Sequence, residues 1–421
     1  MTSRFRVIAS GIVVVSFFLL LFSYAMFQGG FVSWFLFFSF LPIFLYELGF
    51  LLHSMKTWKV SRQLSHYVIR AGDGIDVKLV IKRKLPFPLY YCICEEVVPE
   101  TLRKIDTKHQ KYSLMDDPGE LYTNRNLKKV FFPLWKRTFT MTYRLEQLPR
   151  GEHLLQTVRI RTGDFFGLVK KEYTFHVTDV IIAYPNARPI VMKEQISSFQ
   201  QGTASTSAFQ LNNSNVATGI REYMPGDRFS WIDWKQTAKK NTVMTKEFEQ
   251  EKSTDILLML DNGIYPETNY VVYEAMVEVV LSLMEGLKKQ ASQVGLVTIG
   301  EKTVYFPVHH DPVKLDMVKN HLTRIQPDGI KPFSIRVESE FAKAGAGNVI
   351  ILVTSHIDIA FIEIVKKMNQ RTKRIVLILI QSAKHHEKNR LFIHQLQFEG
   401  IHIHILTEQH LKQNQLEVKG I

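Results

Sequence analysis

Cysteine is nearly missing from this chain: 421 residues carry two, Cys92 and Cys94. Two thiols cannot build a disulfide scaffold. Two positions apart on a strand they share a side but lie too close along the backbone for an easy bridge, so they are expected to be reduced, cytosolic and half-buried. Charge is also scarce, at 22% of residues against 46% hydrophobic, which excludes a mainly disordered chain. With 22 Gly and 15 Pro, a collagen-like repeat is excluded too. Acidic residues are the minority, 40 Asp+Glu against 53 Lys+Arg, and the resulting +13 favours anionic partners such as membrane lipid or nucleic acid. Nucleic acid is the weaker of the two, because there is no zinc-finger spacing, aromatic ribonucleoprotein motif or concentrated basic helix. No serine or cysteine sits in a nucleophile-elbow pattern.

Long apolar runs are what the chain does have. Val7 to Phe27 contains no charged residue, and Phe31 to Leu52 contains only Glu47, near its far end, and Pro42 inside. Each is long enough to cross a hydrocarbon core of about 30 Å. A cleaved signal peptide is the competing reading, but the first run exceeds a typical apolar core of such a leader and Tyr24-Ala25-Met26-Phe27 makes a poor cleavage site. Arg4 and Arg6 precede the first run, Lys56, Lys59 and Arg62 follow the second, and the connecting turn has no charge. The expectation is a two-helix transmembrane hairpin over 7–52, after a short cytoplasmic N-terminus over 1–6, with both termini and the bulk of the chain in the cytoplasm. Basic residues near lipid headgroups then account for part of the positive charge.

Residues 60–190 read as short alternating strands separated by turns such as Ala71-Gly72-Asp73-Gly74, predicting a β-sandwich-like domain. The polar stretch 191–218, rich in Ser, Thr, Gln and Asn, is expected to be a linker. Beyond it, Gly219 to Lys235 packs Arg221, Tyr223, Gly226, Asp227, Asp233 and Trp234 into one short segment. Pro225-Gly226 suits a type II turn, Asp227 can accept from backbone amides, and Asp233 can pair with Arg221 or cap a helix beginning at Trp234. From Asp255 onward, apolar strand runs alternate with helix-period segments. This predicts a mostly parallel α/β sheet of Rossmann type, with Asp261, Asn262, Thr354 and Asp358 at the carboxyl edge where ligands bind.

The elements at 219–227, 232–234 and 246–249, together with Leu148-Pro149-Arg150-Gly151 and Gly163-Asp164-Phe165-Phe166-Gly167-Leu168, resemble the signature of the family called domain of unknown function 58. The resemblance implies a von Willebrand factor type A-like domain over 219–421 and a gene-neighbour relation with MoxR-type AAA+ ATPases, so that such an ATPase is the expected partner in envelope-related assembly or stress handling. It implies no known reaction. Members of the wider von Willebrand A class hold a divalent cation with Asp-x-Ser-x-Ser plus a Thr and an Asp from other loops. Here Asp261-Asn262-Gly263-Ile264-Tyr265 keeps the first Asp and loses both serines. Asp261, Thr354 and Asp358 are therefore candidate Mg2+ ligands in a degenerate site; the preferred reading is that Asp261 caps a turn or the following helix and that no cofactor is needed.

The function expected on these grounds is a membrane-anchored, non-catalytic adaptor whose signature motif is either a domain junction or a protein-binding surface. A metal-dependent hydrolase or nuclease using Asp227, Asp233 and Glu247, with Lys235 or Lys246 steadying a phosphate, is the alternative. Histidines at 309–310, 385–386, 402 and 404 lack the companions that a metal site needs, so surface or strand-edge roles are expected of them.

Overall fold

The structure is a computed structural model that describes residues 2–192, 217–224, 227, 229–248, 255–289, 293–307, 312–343, 349–372 and 374–418. Two helices open the chain, α1 (Thr2–Gln28) and α2 (Phe31–Leu52), joined through Gly29 and Gly30 at positive φ. Both are long and apolar enough to span a membrane. Phe18, Phe37 and Phe44 interlock between them, while large side chains such as Leu20, Phe27, Phe31 and Phe35 point outward.

Eight strands follow: β1 (Lys59–Leu64), β2 (Val68–Arg70), β3 (Ile75–Lys82), β4 (Tyr91–Val97), β5 (Leu127–Phe131), β6 (Thr138–Leu145), β7 (Gly151–Gly163) and β8 (Lys170–Tyr184). They form a three-stranded sheet, β1-β3-β6, and a five-stranded sheet, β2-β8-β7-β4-β5. Alternation does the sorting: in β3 and β4 every second side chain is buried, as expected of strands with one face toward a core. The two inner faces share a cluster containing Leu79, Ile81, Cys92, Met141 and Ile160. Cys92 and Cys94 belong to that cluster and are fully buried rather than half-buried, because both take the inward positions of β4. Burial pushes both thiols up to about 12.

The α/β region holds β12 (Asp255–Asp261), α4 (Tyr270–Lys289), β13 (Gln293–Ile299), β14 (Thr303–Phe306), α5 (Pro312–Arg324), α6 (Phe333–Lys343), β15 (Val349–Thr354), α7 (Ile359–Asn369), β16 (Arg374–Ile380), α8 (Ala383–Phe398), β17 (His402–Leu406) and α9 (Glu408–Leu411). The sheet order is β14-β13-β12-β15-β16-β17, parallel except for edge strand β14. Its central strands are buried on both faces, which is why they read as unbroken apolar runs such as Val349-Ile350-Ile351-Leu352-Val353. Before this sheet come β9 (Ile190–Met192), β10 (Ala217–Glu222), α3 (Trp234–Lys240) and β11 (Met244–Phe248); after it comes β18 (Leu416–Val418). Residues 191 and 192, expected to begin a linker, instead continue β9, which pairs in parallel with β18; residues 193–216 of that stretch lie outside the described residues.

Helix α4 joins the two regions. One side packs on the sheet, and Tyr112, Met115 and Leu121 from the β-domain enter the same cluster. The other side carries Glu274, Glu278 and Ser282, one helical turn apart each, against the β-domain. Glu274 takes a bidentate pair of 2.9 Å hydrogen bonds from Arg150. Glu278 accepts from Lys111 Nζ and from the Tyr112 hydroxyl, both at 2.6 Å, while Ser282 Oγ accepts from the Arg188 backbone amide. Lys111 also donates to Asp106 at 2.6 Å. All of these charged side chains are buried.

Candidate functional site

The signature residues sit on a two-stranded antiparallel sheet, β10 with β11, outside the larger sheets. Arg221 donates to both oxygens of Asp227, at 2.8 and 2.7 Å, and Asp227 also accepts from the Met224 amide. Those bonds from Arg221 and Met224 hold the Asp227 carboxyl below its ordinary range. Asp233 is the N-cap of α3, accepting from the amides of Lys235 and Gln236 at 3.1 Å. Of the two roles open to Asp233, capping is the one it takes; the partner of Arg221 is Asp227, six positions along. Tyr223 stacks on Phe229 with ring centroids 6.1 Å apart. Trp234 is 69% exposed and Phe229 77%, so the tryptophan is displayed and not packed into a junction. Pro225 and Gly226, the expected type II turn, lie outside the described residues. Glu247 lies in β11 opposite Gly219, and Lys246 opposite Ile220. Asp227 and Asp233 are each held by separate local bonds.

The second set lies at the carboxyl ends of β12 and β15. Asp261 is 1% exposed and accepts from the Gly263 amide at 2.8 Å, the Tyr265 hydroxyl at 3.3 Å and Thr354 Oγ1 at 2.6 Å. Burial pushes its carboxyl up to about 6 in spite of these donors. Asp358 is the N-cap of α7, accepting from the Phe361 amide at 2.6 Å. The structure thus brings Asp261 and Thr354 into direct contact and gives Asp358 a capping role. A hard dication needs several oxygen lone pairs facing one point. The groups gathered on Asp261 are one amide and two hydroxyls, and the Tyr265 ring stacks on His356 with centroids 4.4 Å apart. Here the carboxylate is held by hydrogen bonds from one amide and two hydroxyls, and the bond from the Gly263 amide makes Asp261 the cap of the turn that follows β12.

Beside this edge, Asn262 donates to Asp328 and to the Gln326 carbonyl, and its side-chain oxygen accepts from the Tyr273 hydroxyl. Gly263 and Gly329 pack so closely that a Cβ on Gly329 would meet the Gly263 Cα at 3.1 Å. Asp328 and Tyr273 were not legible as site residues, since nothing in their local sequence marks them. A cavity of about 530 Å3 opens on the other side of the edge, lined by Ser355, His356, Gln381, Ser382, His385 and Glu267 among others. Among the described residues no group of three His, Cys, Asp or Glu side chains could hold a metal ion. His309 and His310 lie outside the described residues, and His385 pairs with Ser382 Oγ at 2.9 Å.

A family model for the protein of unknown function DUF58 matches residues 219–388. The uncharacterized protein YeaD of Bacillus subtilis (strain 168) is 34% identical over 322 residues, 76% of each chain. This chain belongs to the DUF58 family. Within DUF58 the matched segment begins at Gly219, the first residue of the signature motif, and it includes Asp261, Thr354 and Asp358. The motifs at 148–151 and 163–168 precede it. Among solved structures, the CARDB domain of the PF1109 protein from Pyrococcus furiosus covers 29% of this chain and 85% of its own at 9% identity and a TM-score of 0.17, a likeness too low to support any argument.

Proposed function

We propose that this DUF58 protein is a membrane-anchored adaptor whose α1–α2 hairpin spans the bilayer, with both termini and the two folded regions on the cytoplasmic side. The observation that carries the reading is the signature hairpin. Its charged residues are spent on fixing local geometry, through Arg221–Asp227 and the Asp233 cap, while Phe229, Trp234 and Met224 are presented outward. Exposed aromatic side chains on a stiffened element are what a protein-binding surface requires, because they bury large area at little cost in ordering. The sheet order and the position of Asp261 on central strand β12 support a von Willebrand A-like reading of the α/β region. The family resemblance supports a MoxR-type AAA+ ATPase as the partner.

Cross-linking in membranes followed by mass spectrometry tests this. The full chain is expected to capture one defined partner, and Trp234→Ala combined with Phe229→Ala is expected to lose it while leaving the Arg221–Asp227 pair and the fold intact. Capture unchanged by the double substitution would place the binding surface elsewhere; no specific partner for the wild type would overturn the adaptor reading.

A further inference from the structure

The Gly163-Asp164-Phe165-Phe166-Gly167-Leu168 motif takes no part in the proposed adaptor surface, and its geometry is deliberate. Asp164 is 1% exposed and accepts from the amides of Phe166, Leu168 and Val169 at 3.1, 3.0 and 2.7 Å. Gly167 supplies the positive φ, +74°, that the tight loop needs. The loop so fixed points Phe165, Phe166 and Leu168 into solvent, each at least half exposed. A second pair of loops joins it. Arg83, itself buried, donates to the carbonyls of Phe87, Leu134 and Lys136, pinning 84–89 to 134–136. Leu134 and Trp135 are left 52% and 66% exposed. Tyr90 bridges the two groups, with its ring 4.9 Å from Phe165 and 6.0 Å from Phe132.

Flexible loops could tuck such side chains away; these are held outward by buried polar groups. The place of the patch says what covers it. Phe87, in the first of these loops, stacks on Tyr46 at 5.6 Å and packs on Phe50 at 6.2 Å, both in the last two turns of α2, and the Tyr46 hydroxyl donates to the Pro88 carbonyl. Lys171, just past the Asp164 loop, donates to the carbonyls of Phe50, Leu51 and His53 at the end of that helix. The patch is therefore continuous with the end of the apolar hairpin. Its basic neighbours Lys84, Lys136, Arg137 and Lys170 are exposed, none is in an ion pair among the described residues, and the only carboxylate in these loops is the buried Asp164. Aromatic side chains beside unpaired lysines and arginines match the interfacial zone of an anionic bilayer.

We propose that the loops at 84–90, 132–137 and 164–169 form a face of the β-domain that dips into the anionic membrane interface beside the hairpin. The domain then lies against the lipid in one orientation and does not swing on a tether. This rests on the anchor reading, and the experiment separates the two. Nitroxide labels are attached singly in the full chain at W135C, F166C, L20C and K239C; Cys92 and Cys94 are buried and stay silent. The protein is reconstituted in phosphatidylcholine vesicles with and without phosphatidylglycerol, and label accessibility to oxygen is compared with that to an aqueous nickel chelate. Labels at 135 and 166 are expected to favour oxygen over nickel by at least about fivefold relative to the label at 239. That preference should strengthen with phosphatidylglycerol and weaken again when Lys84, Lys136, Arg137 and Lys170 are changed to Gln. If 135 and 166 match 239 while 20 is in lipid, the anchor stands and the dipping face is overturned. If 20 is also aqueous, the anchor reading fails with it. Protection from both reagents without dependence on lipid would give the face to a protein and likewise overturn the assignment.

Discussion

Replacing Arg150 by Met tests how the two folded regions are held together. The guanidinium is buried, gives Glu274 two 2.9 Å hydrogen bonds, and donates to the carbonyls of Leu322, Thr323 and Ile325 at the end of α5. Burial alone would raise the Glu274 carboxyl, but Arg150, with smaller help from Lys111 and Lys104, more than offsets it and holds the group below its ordinary value. Removing one partner of such a pair costs about 3–5 kcal/mol, because a buried charge is left uncompensated. With a slope of about 3 kcal/mol/M, a loss near 4 kcal/mol moves a urea midpoint down by about 1.3 M. The assay is a urea titration of the full chain in mild detergent, followed by tryptophan fluorescence. The double variant Arg150→Met with Glu274→Met should recover about 2 kcal/mol or more of the summed single losses, since no charge is then stranded. Linkage gives a second reading. A carboxyl with a depressed folded value contributes stability that is full above about 4.3, its unfolded value, and is lost as pH falls through the folded value. The Arg150→Met chain should lack that acid-side loss. A midpoint within about 0.3 M of wild type, or singles that simply add, would refute the argument.

Asp261 runs the opposite way in pH. Its carboxyl is raised from 3.8 to about 6, so its contribution is whole below about 4 and fades as pH rises through about 6; ionisation costs about 3 kcal/mol at neutral pH. Asp261→Asn should therefore flatten stability between pH 4 and 6 and raise it at pH 7, as a thermal-melt series would show, and parallel profiles would contradict this. Lys171→Met, which strips three carbonyls at the end of α2 of a charged donor, should cost about 2 kcal/mol locally and speed amide exchange over 53–58 by roughly tenfold or more. The Cys92 and Cys94 thiols, pushed to about 12, should not react with a thiol reagent at pH 8 until the chain is unfolded, when both should titrate in one burst; rapid labelling of the native protein would show an open β-domain core.

Much of the architecture was legible because burial on both faces leaves a plain signature: the runs at 256–260, 349–353 and 375–380 are apolar without interruption, and each became a central strand. Helix α6 is legible too, since Phe333, Val337 and Phe341 recur at four-residue spacing, the pattern of a one-sided helix. The cap at Asp233 could be read locally, but the choice of Asp227 over Asp233 as the partner of Arg221 depends on how β10 turns. Glu274 and Glu278 were beyond reach for another reason. A polar stripe on a helix signals water in the sequence, whereas here it faces arginine and lysine from a separate region of the chain. The β9–β18 pair has no sequence signal at all, being three residues matched across more than two hundred.

That pair closes the molecule like a clasp. Ile190–Met192 lies on Leu416–Val418, and just upstream Arg188 donates to the carbonyls of Leu411 and Gln413. The path out of the β-domain is thereby fastened to the last of the described strands, so the α/β region is hooped between β9 and β18. Shortening the protein from Leu416 would unfasten the strand that leads toward the signature hairpin, and a tag placed directly on Val418 would pull on the same hoop.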